Sequence, residues 1–228
     1  MAKKQSITRK ITQIAVFTAV SYVIYMFIKF PLPFIFPSWL EIHISDMPAI
    51  LAGFMMGPLE GIAVLALRTL LKLPSSNTAL IGELADLIMG IAYVLPSALI
   101  YKFNRTKKGA VISLIVGCLC TTITAMVVNY LVLVPFYVQV FFGGEIQTLV
   151  NALSVLFTNV NVQNVYAYYI FLSAMPFNLL RAILSAVVTF LLYKRLVKLF
   201  DRIFAKKEKT SQIPEEKGEE SEKDDNIA

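Results

Sequence analysis

A single histidine, a single tryptophan, two cysteines and only 16% charged residues stand in a sequence of 228. Each scarcity excludes something. One histidine leaves no pair for a zinc site or a catalytic dyad. Cys118 and Cys120 share an apolar stretch with no second ligand pair nearby, so they are expected as small core thiols and no metal is expected. No G-x-x-x-x-G-K-S/T loop, HExxH or GxSxG elbow occurs, so the chain is not expected to be an enzyme, to hydrolyse ATP or to hold a cofactor. Alternating segments of roughly ten residues, the mark of a membrane barrel, are also missing.

What is abundant is apolar surface. Apolar residues make up 57% of the chain and the mean hydropathy is +0.68, outside the balance of a soluble domain. Several apolar stretches reach the roughly 20 residues needed to cross a hydrocarbon core about 30 Å thick. The expected fold is therefore all-α: a polytopic membrane protein in the lipid bilayer, built as a six-transmembrane-helix bundle over residues 1–205. The first ten residues resemble the charged start of a signal peptide, but the apolar run that follows, 11–28, is too long and lacks a small-residue cleavage site. It is expected as the first span.

Proline and glycine divide the rest. Helices are expected over residues 8–30, 47–57, 58–73, 79–101, 109–134 and 167–197, with Asp46 as N-cap of the second and Pro135 closing the fifth. Basic residues cluster at Lys3–Lys10, at Lys102–Lys108 and after the last span, which predicts a multi-pass cell-membrane protein with both termini cytoplasmic. The net charge of +6 thus reports orientation and not nucleic acid, since no single soluble face carries it. Residues 206–228, ending EEKGEESEKDDNIA, bury too little to fold and are expected as a disordered charged cytoplasmic tail.

Ionisable groups inside spans are costly unless paired or facing a cavity. Here they are Glu60, Arg68, Glu83, Asp86 and Arg181. Glu83 and Asp86 stand three apart on one helix face, with Arg68 placed to neutralise one of them. Asn178 and Arg181 are also three apart, and Asn129 lies at similar depth. Amides and a guanidinium at one level suit the polar edge of a small ligand with an aromatic body, and Trp39, Tyr130, Phe136 and Tyr137 are aromatic candidates to stack on it. A structural charge network and a membrane-interface aromatic belt remain open as alternatives. Ala15 and Ala19, four apart, offer a small-residue face for close helix packing or for docking a membrane partner.

The segments FPLPFIFPSWLEIHISDMPAILAGFMMGPLEG (30–61), GELADLIMGIAYVLPSALIYK (82–102), NYLVLVPFY (129–137) and PFNLLRA (176–182) resemble the substrate-capture (S) components of energy-coupling factor vitamin importers, within them the riboflavin-binding branch. The resemblance implies a six-helix bundle that binds riboflavin from outside as transported ligand and works with a transmembrane coupling protein and two ATPases. It implies Asn129 and Asn178 on the flavin ring, the first loop as a lid, and Ala15 and Ala19 as the docking face; the reading of the residues themselves adds Arg181 on the ring edge, Trp39, Glu41 and Asp46 in the lid loop, and Arg68, Glu83 and Asp86 as further substrate-binding candidates. There are three departures from the family pattern: Arg181 replaces lysine, Asp86 replaces asparagine, and Arg68–Thr69 replace Lys–Asn. Another vitamin, or a flavin derivative such as FMN, is the alternative substrate; an intramembrane enzyme using Glu83 and Asp86 is the rival class.

Overall fold

Proline decides where the first helix stops. In the computed structural model, which describes residues 7–210 and side chains through Tyr193, α1 (Ile7–Phe27) runs 21 residues. That is about 31 Å, the thickness of a hydrocarbon core. Beyond it Pro31, Pro33 and Pro37 offer no amide to a helical ladder. The chain instead forms a small antiparallel hairpin, β1 (Lys29–Pro31) with β2 (Glu41–His43), in register Lys29 to His43 and Pro31 to Glu41.

α2 (Met47–Met55) is apolar all round and buried from Met47 to Phe54, so it runs through the interior of the bundle. Gly57, at φ 135°, makes the break that lets α3 (Pro58–Lys72) turn back. Lys10 near the start of α1 pairs with Glu60 near the start of α3 at 2.7 Å. At the other end of both helices, Lys72 lies 5.9 Å from the Tyr25 ring.

α4 (Ile81–Phe103) and α5 (Lys107–Val128) pack closely along their length. Gly117 is what permits the approach: a Cβ there would fall 2.0 Å from Ser97 Oγ and 2.6 Å from the Tyr93 ring. Thr106 caps α5, its hydroxyl accepting from the Gly109 amide at 2.9 Å. Tyr93 ties α4 to the last helix by donating to the Ala182 carbonyl at 2.8 Å.

Pro135 does not close the fifth span as the sequence suggested. A π-helical turn, Asn129–Leu133, leads into α6 (Val134–Val140), and the proline sits in the first turn of α6, where a missing amide costs least. The short α7 (Ile146–Ser154) packs Leu149, Val150 and Leu153 against Val134, Val165 and Tyr169. α8 (Val165–Ala167), a second π segment (Tyr168–Ala174) and α9 (Met175–Thr210) complete the described chain.

Among the described residues, four helical stretches are long and apolar enough to cross a membrane: Ile7–Phe27, Ile81–Phe103, Lys107–Val140 and Val165–Tyr193. Of the six expected, α2 and α3 fall short at nine and 15 residues, about 14 and 23 Å. The long helices turn apolar rows outward, such as Val16, Val20, Val23 and Phe27 on α1 and Ile112, Ile115, Leu119 and Ile123 on α5. Exposed stripes of this size at helical spacing suit lipid, not water. The small-residue pair Ala15 and Ala19 is exposed on α1 beside the first row. By contacts the chain divides into two units, residues 1–193 and 194–228. The expected tail lies outside the described residues from position 211 onward.

Candidate functional site

Four opposite charges meet where the hairpin joins α2. Arg68 of α3 donates to Asp46 Oδ1 at 2.8 Å and to Asp86 Oδ2 at 2.9 Å. Arg181 of α9 donates to Asp46 Oδ2 at 3.1 Å and lies 2.7 Å from Asp86 Oδ1. Each carboxylate thus bridges both guanidinium groups in a closed ring of alternating charge. Arg68 is wholly buried and also stands 4.9 Å over the Tyr25 ring. Charges buried to this degree cost several kcal/mol each unless paired, and the ring gives each of the four a partner of opposite sign.

This arrangement corrects one sequence expectation. Asp46 occupies the N-cap position of α2, but its side chain makes no capping bond because both oxygens serve arginines. The expected partner for Arg68 proves to be Asp86, whereas Glu83, one turn away, accepts from Ser76 at 2.7 Å and Thr78 at 2.6 Å. Those two hydroxyls also accept from the Leu80 and Gly82 amides and so hold the start of α4. Ala79 and Leu80 take positive φ values of 49° and 71° in this turn, a strain of the kind found beside binding sites.

Against this ring lies a cavity of about 350 Å³, within the range of small-molecule sites. Of the residues the sequence singled out, Trp39, Glu41, Glu83, Asp86, Asn129, Asn178 and Arg181 line it. Asp46 and Arg68 do not line it; they stand behind Asp86 and Arg181 and hold them. Of the candidate aromatics, Trp39 and Tyr137 reach the cavity, while Tyr130 pairs with Tyr166 and Phe136 with Tyr137 and Phe141. Tyr25, Tyr169 and Phe177 also line it and were not singled out in the sequence, where they read as ordinary span aromatics.

Asn129 and Asn178 each donate one amide hydrogen to the carbonyl four residues back, at 2.8 Å. One hydrogen and the carbonyl oxygen of each amide are left for a ligand. Asn129 opens one π segment and Asn178 follows the other, and such local rewinding re-aims side chains toward a site.

His43, dismissed in the sequence as a lone histidine, lines the cavity wall. Its Nε2 faces Arg181 at 3.4 Å and its Nδ1 lies 2.9 Å from Ser45 Oγ. Facing a guanidinium, Nε2 must accept, so the proton sits on Nδ1 and is donated to Ser45. Burial, helped by Arg181, pushes the imidazole down from 6.5 to about 4. The folded protein therefore stays neutral at His43 where the unfolded chain takes up a proton, and stability falls as pH drops from about 6.5 toward 4. At pH 5 the loss is expected to be about 2 kcal/mol. Thermal melts of the purified protein at pH 7 and pH 5 check this, and His43→Gln is expected to flatten the difference.

Three comparisons bear on the site. The model of the family described as ECF transporter, substrate-specific component, matches residues 9–193. The chain is 31% identical to the riboflavin transporter RibU of Staphylococcus aureus over 195 residues, covering 86% of this chain and 94% of that protein. To the riboflavin transporter FmnP of Bacillus subtilis it is 33% identical over 132 residues, covering 57% and 68%. A solved S component of a bacterial ECF transporter superposes with a TM-score of 0.64 at 29% identity, covering 85% of this chain and 98% of that one.

Proposed function

Because the chain belongs to the substrate-specific components of ECF transporters, we propose that it captures riboflavin in the hairpin-end cavity and hands it on to an energising module. The observation that carries the ligand is the cavity wall itself. Two amides with free donor and acceptor atoms and one guanidinium face a space flanked by Trp39, Tyr137, Tyr169 and Phe177. A flavin ring needs that combination: stacking surface for its faces and paired donors and acceptors for its edge. Two relatives named as riboflavin transporters support the same choice. Asp86, half of the rival catalytic pair, is held between two arginines, which suits a binding wall better than proton transfer.

In this reading α2 and α3 are the second and third of six spans. Lys10–Glu60 at one end and Lys72 beside Tyr25 at the other support a crossing by α3, short as it is. Both termini then lie on the cytoplasmic side with the basic clusters, the cavity opens outward, and the hairpin bearing Trp39 is its lid. Trp39 Nε1 reaches toward the Tyr169 hydroxyl at 3.5 Å, a contact weak enough to open. Without a nucleotide-binding loop the chain draws energy from its partners, a transmembrane coupling protein and two ATPases. The exposed Ala15 and Ala19 are the face on which the coupling protein docks.

The test is a visible absorption spectrum of the detergent-purified protein, with identification of any molecule released on denaturation. A flavin band at about one equivalent is the expected result. A colourless protein that also fails to bind added riboflavin would overturn the ligand.

A further inference from the structure

The cavity is not uniform. Its α5 and α9 side presents Asn129, Asn178, Tyr137, Phe177 and Arg181, while the side built from the ends of α1 and α3, the hairpin and residues 77–83 carries more of the charge, at Lys29, Glu41, Lys72 and Glu83, beside the Thr78 hydroxyl. On that second side Glu83 is 4% exposed, and its Oε2 takes both hydroxyl bonds from Ser76 and Thr78. Its Oε1 accepts from no described residue. A buried carboxylate fixed through one oxygen and open at the other is a directed acceptor on the cavity wall.

Resting on the flavin reading, we infer that Glu83 is the residue that recognises the polyol tail of the substrate and discriminates against a phosphorylated tail. A ring seated among the amides leaves its sugar-alcohol chain on the charged side. Hydroxyl groups there donate to Oε1, and hydrogen bonds to an ionised acceptor are about twice as strong as neutral ones.

The charge balance of the wall gives the discrimination. Three cations, Lys29, Lys72 and Arg181, face three carboxylates, Glu41, Glu83 and Asp86. Lys29 is paired with Glu41 and Arg181 with Asp86. Lys72 donates to the Ser75 carbonyl at 2.9 Å. The wall is therefore neutral and its cations are engaged. A polyol adds no charge. A phosphate ester brings a charge of about −1.5 to −2 at pH 7 into a space where Glu83 repels it, and the lining cation that no carboxylate pairs, Lys72, is tied to the Ser75 carbonyl.

The experiment titrates the purified protein and the Glu83→Gln variant with riboflavin, with lumiflavin, which carries the same ring without the polyol, and with riboflavin 5′-phosphate, reading flavin fluorescence. The unaltered protein is expected to bind riboflavin most tightly. In Glu83→Gln, riboflavin is expected to weaken by about tenfold or more, lumiflavin to stay within about twofold, and the preference for riboflavin over its phosphate to narrow. Glutamine still accepts from Ser76 and Thr78, and retained lumiflavin binding reports an intact site. Equal loss of riboflavin and lumiflavin would make Glu83 merely structural and overturn the inference. So would an unaltered protein that binds riboflavin and lumiflavin alike. Failure of the unaltered protein to bind any of the three would instead remove the flavin reading, and this inference with it.

Discussion

Arg68→Ala is expected to destabilise the protein by about 3–5 kcal/mol and to abolish tight ligand binding, although Arg68 lines no part of the cavity. The substitution leaves Asp46 and Asp86 as a buried pair of carboxylates with one guanidinium between them. That excess negative charge sits on two almost fully buried carboxylates, and the Tyr25 ring loses the cation above it. The ligand effect follows because Arg181 is aimed by the same two carboxylates. With Arg68 gone, Arg181 is drawn wholly into neutralising them. A thermal melt and a riboflavin titration check both halves. Arg68→Lys is expected to recover part of the stability, since one ammonium reaches one carboxylate well and a second only poorly. If Arg68→Ala melts normally and binds ligand as before, the closed ring is not what holds the site.

Much of the architecture was legible in the sequence because membrane solvation makes it so. Apolar length follows from the bilayer, and the four long apolar stretches begin within a few residues of expectation, while the fifth expected span runs on to Val140 and the last helix to Thr210. The misses have local physical causes. Pro135 read as a stop because a proline inside a regular helix is one; the π turn before it makes that position the start of a new ladder. Asp46 read as a cap because sequence shows its neighbours along the chain, whereas its partners are 22 and 135 residues away. His43 read as inert for want of a second histidine, but its partner is Arg181, 138 residues on. The i, i+3 spacing of Glu83 and Asp86 gave them one helix face, and both line the cavity. It was silent on their division of labour, because one turn of helix separates loop hydroxyls from two arginines.

The departure of Arg181 from the lysine expected at its position carries the second large prediction. Arg181→Ala is expected to weaken riboflavin by about 30-fold to about 4,000-fold, the range for truncating one partner of a buried charge pair. Arg181→Lys is expected to stay within about tenfold of the unaltered protein in affinity yet to melt at lower temperature. The reason is geometric. Arg181 serves Asp46 and Asp86 from one nitrogen, at 3.1 and 2.7 Å, while its other terminal nitrogen faces His43 and its side chain lines the cavity. A planar fork does this without moving. A lysine offers one point charge, enough for a ligand donor or for a carboxylate but not for every contact together. In a pocket with asparagine in place of Asp86, lysine has one fewer anion to satisfy, so the two departures compensate each other. The double variant Arg181→Lys with Asp86→Asn is therefore expected to melt higher than Arg181→Lys alone. Measured against Asp86→Asn and the unaltered protein in a double-mutant cycle, the pair should show a coupling of about 1–3 kcal/mol. Strict additivity would mean that Arg181 and Asp86 are not an energetic unit, and that the guanidinium is there for the ligand alone.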